Sequence, residues 1–324
     1  MRPAIPAFLA LFSGICGNGY VAADTTAPPV AVDWLKKIAA ASRHVNYTGT
    51  FVYQHGNQAE TFRIAHFFDA GSEVERLETL DGPPREIIRN NENVTCYLPD
   101  SKTVVIEQRL GRRFPAALPE KLSGISENYA IRKNGLDRVA GYDCQIISLE
   151  PRDNLRYGHK FCVELKSGLP LRARMYNERN EMVESFAFTQ LTLRRGVAKD
   201  LLKSRYADKS QAWRVDKSAL EQSESGADTS WVLENQPAGF NKLTEIRRSL
   251  AGRPISVSHI VYSDGLASIS IFIEPMPKSP LPVGPTYQGA VNIYVKSQSD
   301  RMVTVVGETP ARTVRQIAES LSFK

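Results

Sequence analysis

From Thr48 to Leu191 apolar residues recur at every second position, in short runs separated by turn residues. A period of two belongs to a half-buried strand, and a helix of 3.6 residues per turn cannot satisfy it. Most of the chain is thereby committed to antiparallel β-structure with one face turned inward. The runs are Thr48–Gln54, Glu60–Phe68, Glu73–Leu80, Arg85–Asn90, Asn93–Leu98 and Thr103–Gln108, then Asp137–Pro151, His159–Lys166, Pro170–Asn177 and Met182–Leu191. Gly56-Asn57, Ala70-Gly71, Gly82-Pro83-Pro84 and Pro99-Asp100 break the earlier ones. A single sheet of so many strands has to curl strongly or close on itself.

The segments around this meander read differently. Val30–His44 carries Trp34, Ile38 and Ala41 at helical spacing. Residues 111–135, with Pro115, Pro119, Gly124 and Gly135, read as a loop with a short helix. From 204 to 230 the chain is polar and offers little to bury, so it reads as a linker. A second, smaller domain follows at 231–324. Its apolar β-branched runs Ile255–Tyr262 and Leu266–Glu274 flank Ser263-Asp264-Gly265, a hairpin signal. Val291–Val295 and Met302–Gly307 form another hairpin. Thr309 is expected to cap a helix with Pro310 at its first position and Val314, Ile317, Ala318 and Leu321 as the buried stripe.

Residues 1–23 read as a secretory signal. Arg2 precedes the apolar run Ala7–Cys16, which is too short for a bilayer that needs about 20 residues. Val21-Ala22-Ala23 supplies small residues before Asp24. A lipoprotein signal needs a small residue before its cysteine, and Ile15 stands there. The expectation is an exported chain with one large domain at 24–203. Cleavage would leave Cys96, Cys144 and Cys162, an odd number. Cys144 and Cys162 lie on the two arms of a hairpin and can pair in an oxidising compartment. Symmetry about residues 154–155 would instead set Cys144 opposite Leu165, and buried thiols are the plain alternative.

Recognisable chemistry is sparse. The histidines are His44, His55, His66, His159 and His259, and they form no HExxH or paired zinc motif. His159 and Cys162, three apart on a strand, point to opposite faces. GxSxG, Walker and GxGxxG patterns are absent. No catalytic residue, metal site or cofactor is assigned, although dispersed hydrolase residues would escape such a search. The net charge of +6 does not indicate nucleic acid, because the aromatics sit inside apolar runs rather than among basic clusters. Arginine pairs suit anions through their planar fork. The groups are Arg109/Arg112/Arg113, Arg172/Arg174 and Arg247/Arg248, with Arg85 and Arg89 beside the turn Asp81-Gly82-Pro83-Pro84. That turn reads first as a structural corner. Phe51 and Tyr53 alternate on one strand, Phe62 and Ile64 on the next. Facing inward together, they would either pack a core or line a groove for an acyl chain.

The segments DGPPREIIRN (81–90), PRDNLRYG (151–158), Ser167–Leu191, Val261–Pro275 and Val303–Ala318 resemble the RseB/MucB proteins, periplasmic negative regulators of the sigma-E (AlgU) envelope-stress response. The resemblance runs in order from about residue 33 to 322 and departs mainly at 109–135 and in the linker. It implies an α+β architecture. A strongly curved antiparallel half-barrel with covering helices, similar to the LolA/LolB lipoprotein carriers, precedes a smaller antiparallel α/β domain. It implies binding rather than catalysis. The chain would hold the periplasmic segment of an RseA/MucA-type anti-sigma factor, shield it from regulated proteolysis, and release it to lipopolysaccharide or another acylated lipid. On that reading Phe51, Tyr53, Phe62 and Ile64 would meet acyl chains. Arg85, Arg89, Arg172, Arg174, Arg247, Arg248 and Tyr262 would meet anions or the partner. Homo-oligomerisation stays open. A lipoprotein or lipid carrier is the alternative, and the second domain argues against it.

Overall fold

A computed structural model describes residues 29–108, 118, 122, 124–194, 196–217, 230–249, 256–277 and 279–324. The signal segment, the Arg109/Arg112/Arg113 group and residues 218–229 of the expected linker lie outside the described residues.

Helix α1 (Pro29–His44) is followed by a meander of β1 (Tyr47–His55), β2 (Gln58–Asp69), β3 (Ser72–Thr79), β4 (Glu86–Asn90), β5 (Asn93–Leu98) and β6 (Thr103–Gln108). A short α2 (Ile125–Asn128) leads into β7 (Tyr129–Val139), β8 (Tyr142–Pro151), β9 (Gly158–Glu164), β10 (Pro170–Tyr176) and β11 (Met182–Leu193), with β12 (Arg214–Asp216) last. These make one twelve-stranded sheet in the order β12-β6-β5-β4-β3-β2-β1-β11-β10-β9-β8-β7. The β12–β6 pair is parallel and the others are antiparallel.

The rest of the chain gives β13 (Trp231–Leu233), β14 (Asn241–Ser249), β15 (Ser256–Ser263), β16 (Ser268–Pro275), β17 (Gly284–Gln288), β18 (Val291–Gln298), β19 (Arg301–Gly307), α3 (Ala311–Ser320) and β20 (Leu321–Phe323). Six of these strands form a second sheet, β14-β15-β16-β19-β18-β17, and β13 pairs with β20.

Both sheets bury what their alternation predicts. Ala31, Leu35 and Ile38 of α1 pack on Ile131, Ile147, Leu149 and Val163 of β7, β8 and β9. In the six-stranded sheet Ile260, Ile269, Ile271, Val303 and Val305 face Val314, Ile317 and Ala318 of α3. Val314, Ile317 and Ala318 of the expected apolar stripe are thus the buried face of that helix, whereas Leu321, also buried, opens β20. The start of the helix differs by one position. Pro310 has ψ 146°, outside the helical range, so the helix begins at Ala311 and Thr309 is not its cap. The run Asp137–Pro151 is two strands rather than one, reversed at Ala140 and Gly141, which both have positive φ. Strands β14 and β17 have no alternating signature because both are sheet edges, where polar side chains are tolerated.

Cys144 and Cys162 form a disulfide with their Cα atoms 5.3 Å apart. The register sets Cys144 against Glu164 and Ile146 against Cys162, so the cysteines are diagonal neighbours and still within reach. Asp81 closes the turn after β3, its carboxylate accepting the Thr61 N–H at 2.9 and 3.0 Å. Gly82 there has φ +68°, which a side chain would strain. The turn is a corner, as its residues indicate.

The expected linker begins late. Residues 199–216 are folded back onto the large sheet rather than extended, and β12 adds to its edge. Leu202 and Val197 pack on Ala65. Fully buried Glu86 accepts from Arg76 Nη2 at 2.7 Å, Arg205 Nε at 2.9 Å and the Arg205 N–H at 3.0 Å. Glu78 is bonded by Arg63, Arg76 and Arg205. Polar composition misleads here because the buried charges that hold the segment are on other strands.

Burial pushes the Glu86 carboxyl up, but hydrogen bonds from Arg76, Ser204 and Arg205 more than reverse this and hold it below the usual carboxylate range. A lowered folded pKa contributes stability that is present above the unfolded value and lost as pH falls through the folded one. Glu86→Gln leaves Arg76 and Arg205 without that charge and should destabilise the chain by about 3–5 kcal/mol, the cost of breaking a buried pair. Hydrogen-exchange protection at residues 199–216, relative to the intrinsic rate at each pH, should fall in acid for the wild type and already at neutral pH for the variant.

Candidate functional site

One rim of the large sheet carries the β1–β2, β8–β9 and β10–β11 turns, and the six-stranded sheet is seated against it. The joint is built on Arg156, in the turn between β8 and β9. Its side chain is 0% exposed, as is that of Asp264 in the β15–β16 turn. Arg156 Nη1 donates to Asp264 Oδ2 at 2.8 Å, Nε to Asp153 Oδ1 at 3.0 Å, and Nη2 to the Ala238 carbonyl. The guanidinium also lies 5.0 Å from the Phe240 ring centroid and 5.7 Å from that of Tyr129.

Asp264 is equally well satisfied. Its Oδ1 accepts the N–H groups of Leu266 and Ala267 at 2.8 and 2.7 Å, which shapes its own hairpin turn. Its Oδ2 takes Arg156 and, at 3.1 Å, the Tyr129 hydroxyl. Burial and then the Asp264 charge raise the Tyr129 pKa well above its ordinary value, so this hydroxyl stays a donor. A buried charge pair is tolerable only when its remaining hydrogen-bonding groups are met, and here they are.

Apolar side chains interlock beside the pair. Leu155 of the large sheet packs against the core of the six-stranded sheet, and Leu266 packs in return against the core under α1. Thr313 Oγ1 donates to the Leu155 carbonyl at 2.8 Å, and Asn292 Nδ2 to the Tyr157 hydroxyl at 2.8 Å. Gly239 is required by close approach, since a Cβ there would stand 2.2 Å from Asn128 Oδ1. A cleft of about 380 Å³ beside the joint is lined by Arg156, His159, Lys160, Tyr176 and Glu178. Burial lowers the His159 pKa to about 4, so its ring is neutral at ordinary pH. Cys162, its sequence neighbour, is committed to the disulfide and leaves no metal pair there.

The four residues expected to line a lipid groove do come together, but as packed core. Phe51, Phe62 and Ile64 are buried, and Tyr53 is half-buried at the edge of the same cluster. Phe51 stacks on Phe62 at 5.2 Å and meets Phe186 and Phe188 edge-on at 5.7 and 5.9 Å. Tyr53 is hydrogen-bonded to Glu184; burial, then that carboxylate, pushes its pKa up.

The expected anion-binding arginines are dispersed. Arg85 pairs with Glu60 at 3.5 Å, Arg89 lies opposite Glu75, and Arg172 is bonded to Asp137. Arg174 is half-buried opposite Lys160. Arg247 is exposed on β14, and Arg248 follows it opposite Val257. Tyr262 is not at an exposed edge: it shares the inward face of β15 with Ile260 and is buried in the core. Two surface features escaped the sequence reading. Leu243 on the β14 edge is 66% exposed. A cleft of about 560 Å³ along α3 is lined by Arg312, Arg315 and Glu319. The signal for that cleft was present in the spacing of the two arginines on an amphipathic helix.

The model of the MucB/RseB N-terminal domain matches residues 30–206, and that of the MucB/RseB C-terminal domain matches residues 225–322. The chain is 31% identical over 312 residues to the sigma factor AlgU regulatory protein MucB of Pseudomonas aeruginosa, covering 93% of each. It is 23% identical over 312 residues to the sigma-E factor regulatory protein RseB of Escherichia coli K12, covering 95% of this chain and 96% of that one. Among solved structures, MucB in complex with MucA(peri) superimposes with a TM-score of 0.71 at 29% identity, over 91% of this chain and 99% of that one. MucB alone gives 0.64 at 29% identity, over 92% and 99%.

Asp264→Asn preserves the acceptor for the Leu266 and Ala267 N–H groups but removes the charge facing Arg156. The substitution should cost about 3–5 kcal/mol, because a buried guanidinium is left undercompensated. Denaturant unfolding measures the loss. Protease accessibility of the 151–158 turn should rise with it, while Asp153→Asn, at the exposed side of the same arginine, should cost less.

Proposed function

The chain belongs to the MucB/RseB family, and on that premise we propose that it is a periplasmic, non-enzymatic regulator that grips the periplasmic segment of a MucA/RseA-type anti-sigma factor. While bound it shields that segment from proteolysis and so restrains the sigma-E response. The observation that carries this is the full-length likeness to a protein solved in complex with MucA(peri), over 91% of this chain. Two domains, a half-barrel built from the twelve-stranded sheet and a smaller one built from the six-stranded sheet, would divide the work. The Arg156–Asp264 joint supports this reading, because it fixes the two against each other.

The partner contact is assigned to the β14 edge, where Leu243 and Arg247 are exposed on a strand with one free side. An extended segment can add there by main-chain hydrogen bonds, with Leu243 as an apolar anchor and Arg247 as a charge filter. Release by an acylated lipid requires that the lipid bind the partner-free form better. The cluster of Phe51, Phe62, Ile64, Phe186 and Phe188 is the apolar volume it would enter, with half-buried Tyr53 at its edge.

A synthetic periplasmic segment of a MucA-type protein should bind the chain one to one in calorimetry and resist protease while bound. The double variant Leu243→Asp/Arg247→Glu should weaken binding at least ten-fold with its melting temperature unchanged. No binding to the wild type would refute the regulator reading, and unchanged affinity in the folded variant would move the contact elsewhere. In the same assay an acylated lipid should displace the segment, and Tyr53→Arg should raise the lipid concentration needed about ten-fold. An equal lipid response in both chains would remove the aromatic cluster from the mechanism.

A further inference from the structure

His66, Glu73 and Glu75 meet on the inner face of β2 and β3. Each offers a ligand atom, and these atoms all lie within 4.8 Å of one another. His66 is 0% exposed, Glu73 8% and Glu75 7%. The adjacent strands bring them together: His66 stands directly opposite Glu75, and Glu73 is one turn of the pleat away, opposite Phe68.

The protonation pattern is constrained by one contact. His66 Nδ1 lies 2.7 Å from the Val45 carbonyl oxygen. A carbonyl can only accept, so Nδ1 carries the hydrogen and donates. In the neutral ring Nε2 then presents a lone pair, and it faces Glu73 Oε1 at 3.2 Å. Two acceptors at that distance need a proton or a metal ion between them. A proton on Nε2 would serve that pair alone. It would leave Glu75 Oε2, which is buried and has no hydrogen-bond partner. Arg89, opposite Glu75 on β4, attracts this carboxylate without supplying a hydrogen bond to that oxygen. A buried polar atom of this kind calls for an explanation such as an ion.

We propose that His66 Nε2, Glu73 and Glu75 bind a divalent transition-metal ion, with Zn²⁺ as the reference. The donor set of one imidazole and two carboxylates suits zinc, whose ligands stand about 2.0–2.2 Å from the metal and hence about 3.3–3.5 Å from one another. The Nε2–Oε1 separation already matches. The Nδ1–H···O=C bond to Val45 is the outer contact that zinc-binding histidines usually make, fixing ring orientation and basicity. The Tyr47 ring stacks on the imidazole at 5.2 Å and walls the site. Burial raises the Glu75 pKa, against the pull of His66 and Arg89. Val45 directly follows α1, and its N–H is bonded to the Ala41 carbonyl. An ion on His66 would therefore pin the end of that helix to β2 and β3. The site has no signature in the sequence because its ligands are split between two strands and form no motif.

Calorimetry of the purified, chelator-stripped chain with ZnCl₂ should give one tight site per chain, and zinc should raise its melting temperature. Glu75→Gln and Glu73→Gln, which keep volume, should each weaken zinc at least ten-fold while the metal-free proteins stay folded. Affinity should fall with pH as the ligands protonate. Absence of a site in the wild type, or unchanged zinc affinity in folded Glu75→Gln, overturns the proposal. Should both variants fail to fold, X-ray absorption on the zinc-loaded wild type decides. One nitrogen and two carboxylate oxygens support the site, and sulfur or several imidazoles overturn it.

Discussion

The joint between the two sheets depends on a guanidinium that has been taken entirely out of water. Removing Arg156 and Asp264 from solvent costs several kcal/mol per ion, and their attraction repays this only if the other donors and acceptors are also met. The structure meets that condition from both sides. Asp153 and the Ala238 carbonyl complete the arginine; Tyr129 and two turn N–H groups complete the aspartate. Such a pair contributes more to uniqueness than to net stability. Rotating one sheet against the other would strand both charges at once, whereas an apolar contact such as Leu155 could be remade in many registers. The charges set the arrangement, and the reciprocal leucines supply much of its attraction.

What could be read from the sequence follows from how local each feature is. Strand periodicity is local, so the meander, the hairpin at Ser263-Asp264-Gly265 and the stripe Val314/Ile317/Ala318 were legible. The resemblance in DGPPREIIRN and PRDNLRYG was legible as well, but not what those residues touch. Arg156 and Asp264 are 108 positions apart, and nothing in either segment names the other. Asp264 looked like an ordinary turn residue because half of its task is to be one. Tyr262 was misplaced because a phenol suits both an interface and a core, and only its register with Ile269 decides. The boundary of the linker was misjudged for a related reason: a polar segment can be held by charges buried elsewhere, as Glu78 and Glu86 hold Arg205. The cysteine pairing is not decided by the sequence because hairpin symmetry sets Cys144 opposite Leu165 rather than Glu164, and diagonal reach covers that difference.

Among the described residues three buried ionic clusters punctuate the fold, and each ties together parts that alternation alone cannot align. Glu78 and Glu86 hold the segment after β11 to one face of the large sheet. Arg156 and Asp264 hold the two sheets together. His66, Glu73 and Glu75 stand where α1 ends against β2 and β3. In the first two, every charged group finds an opposite charge in direct contact. In the third, His66 Nδ1 is used on Val45 and Glu75 Oε2 is buried without a hydrogen-bond partner. That oxygen, more than proximity, is what gives a cation its place.

The position of the aromatic cluster bears on how a grip could be released. Phe51, Phe62, Phe186 and Phe188 are packed at ring separations of 5.2–5.9 Å, as tight as a core should be. An acyl chain could enter only by displacing those rings, and each buried methylene would return about 0.8 kcal/mol. Several methylenes are therefore needed before entry offsets the lost ring contacts, which favours long chains over short ones. The cluster is not remote from the joint. The same cluster includes Cys162 on β9, and β9 begins directly after Tyr157, next to Arg156. A rearrangement at the rings thus reaches the rim through one continuous strand, and the charge pair there, satisfied only in one geometry, would respond by holding or by breaking rather than by yielding gradually.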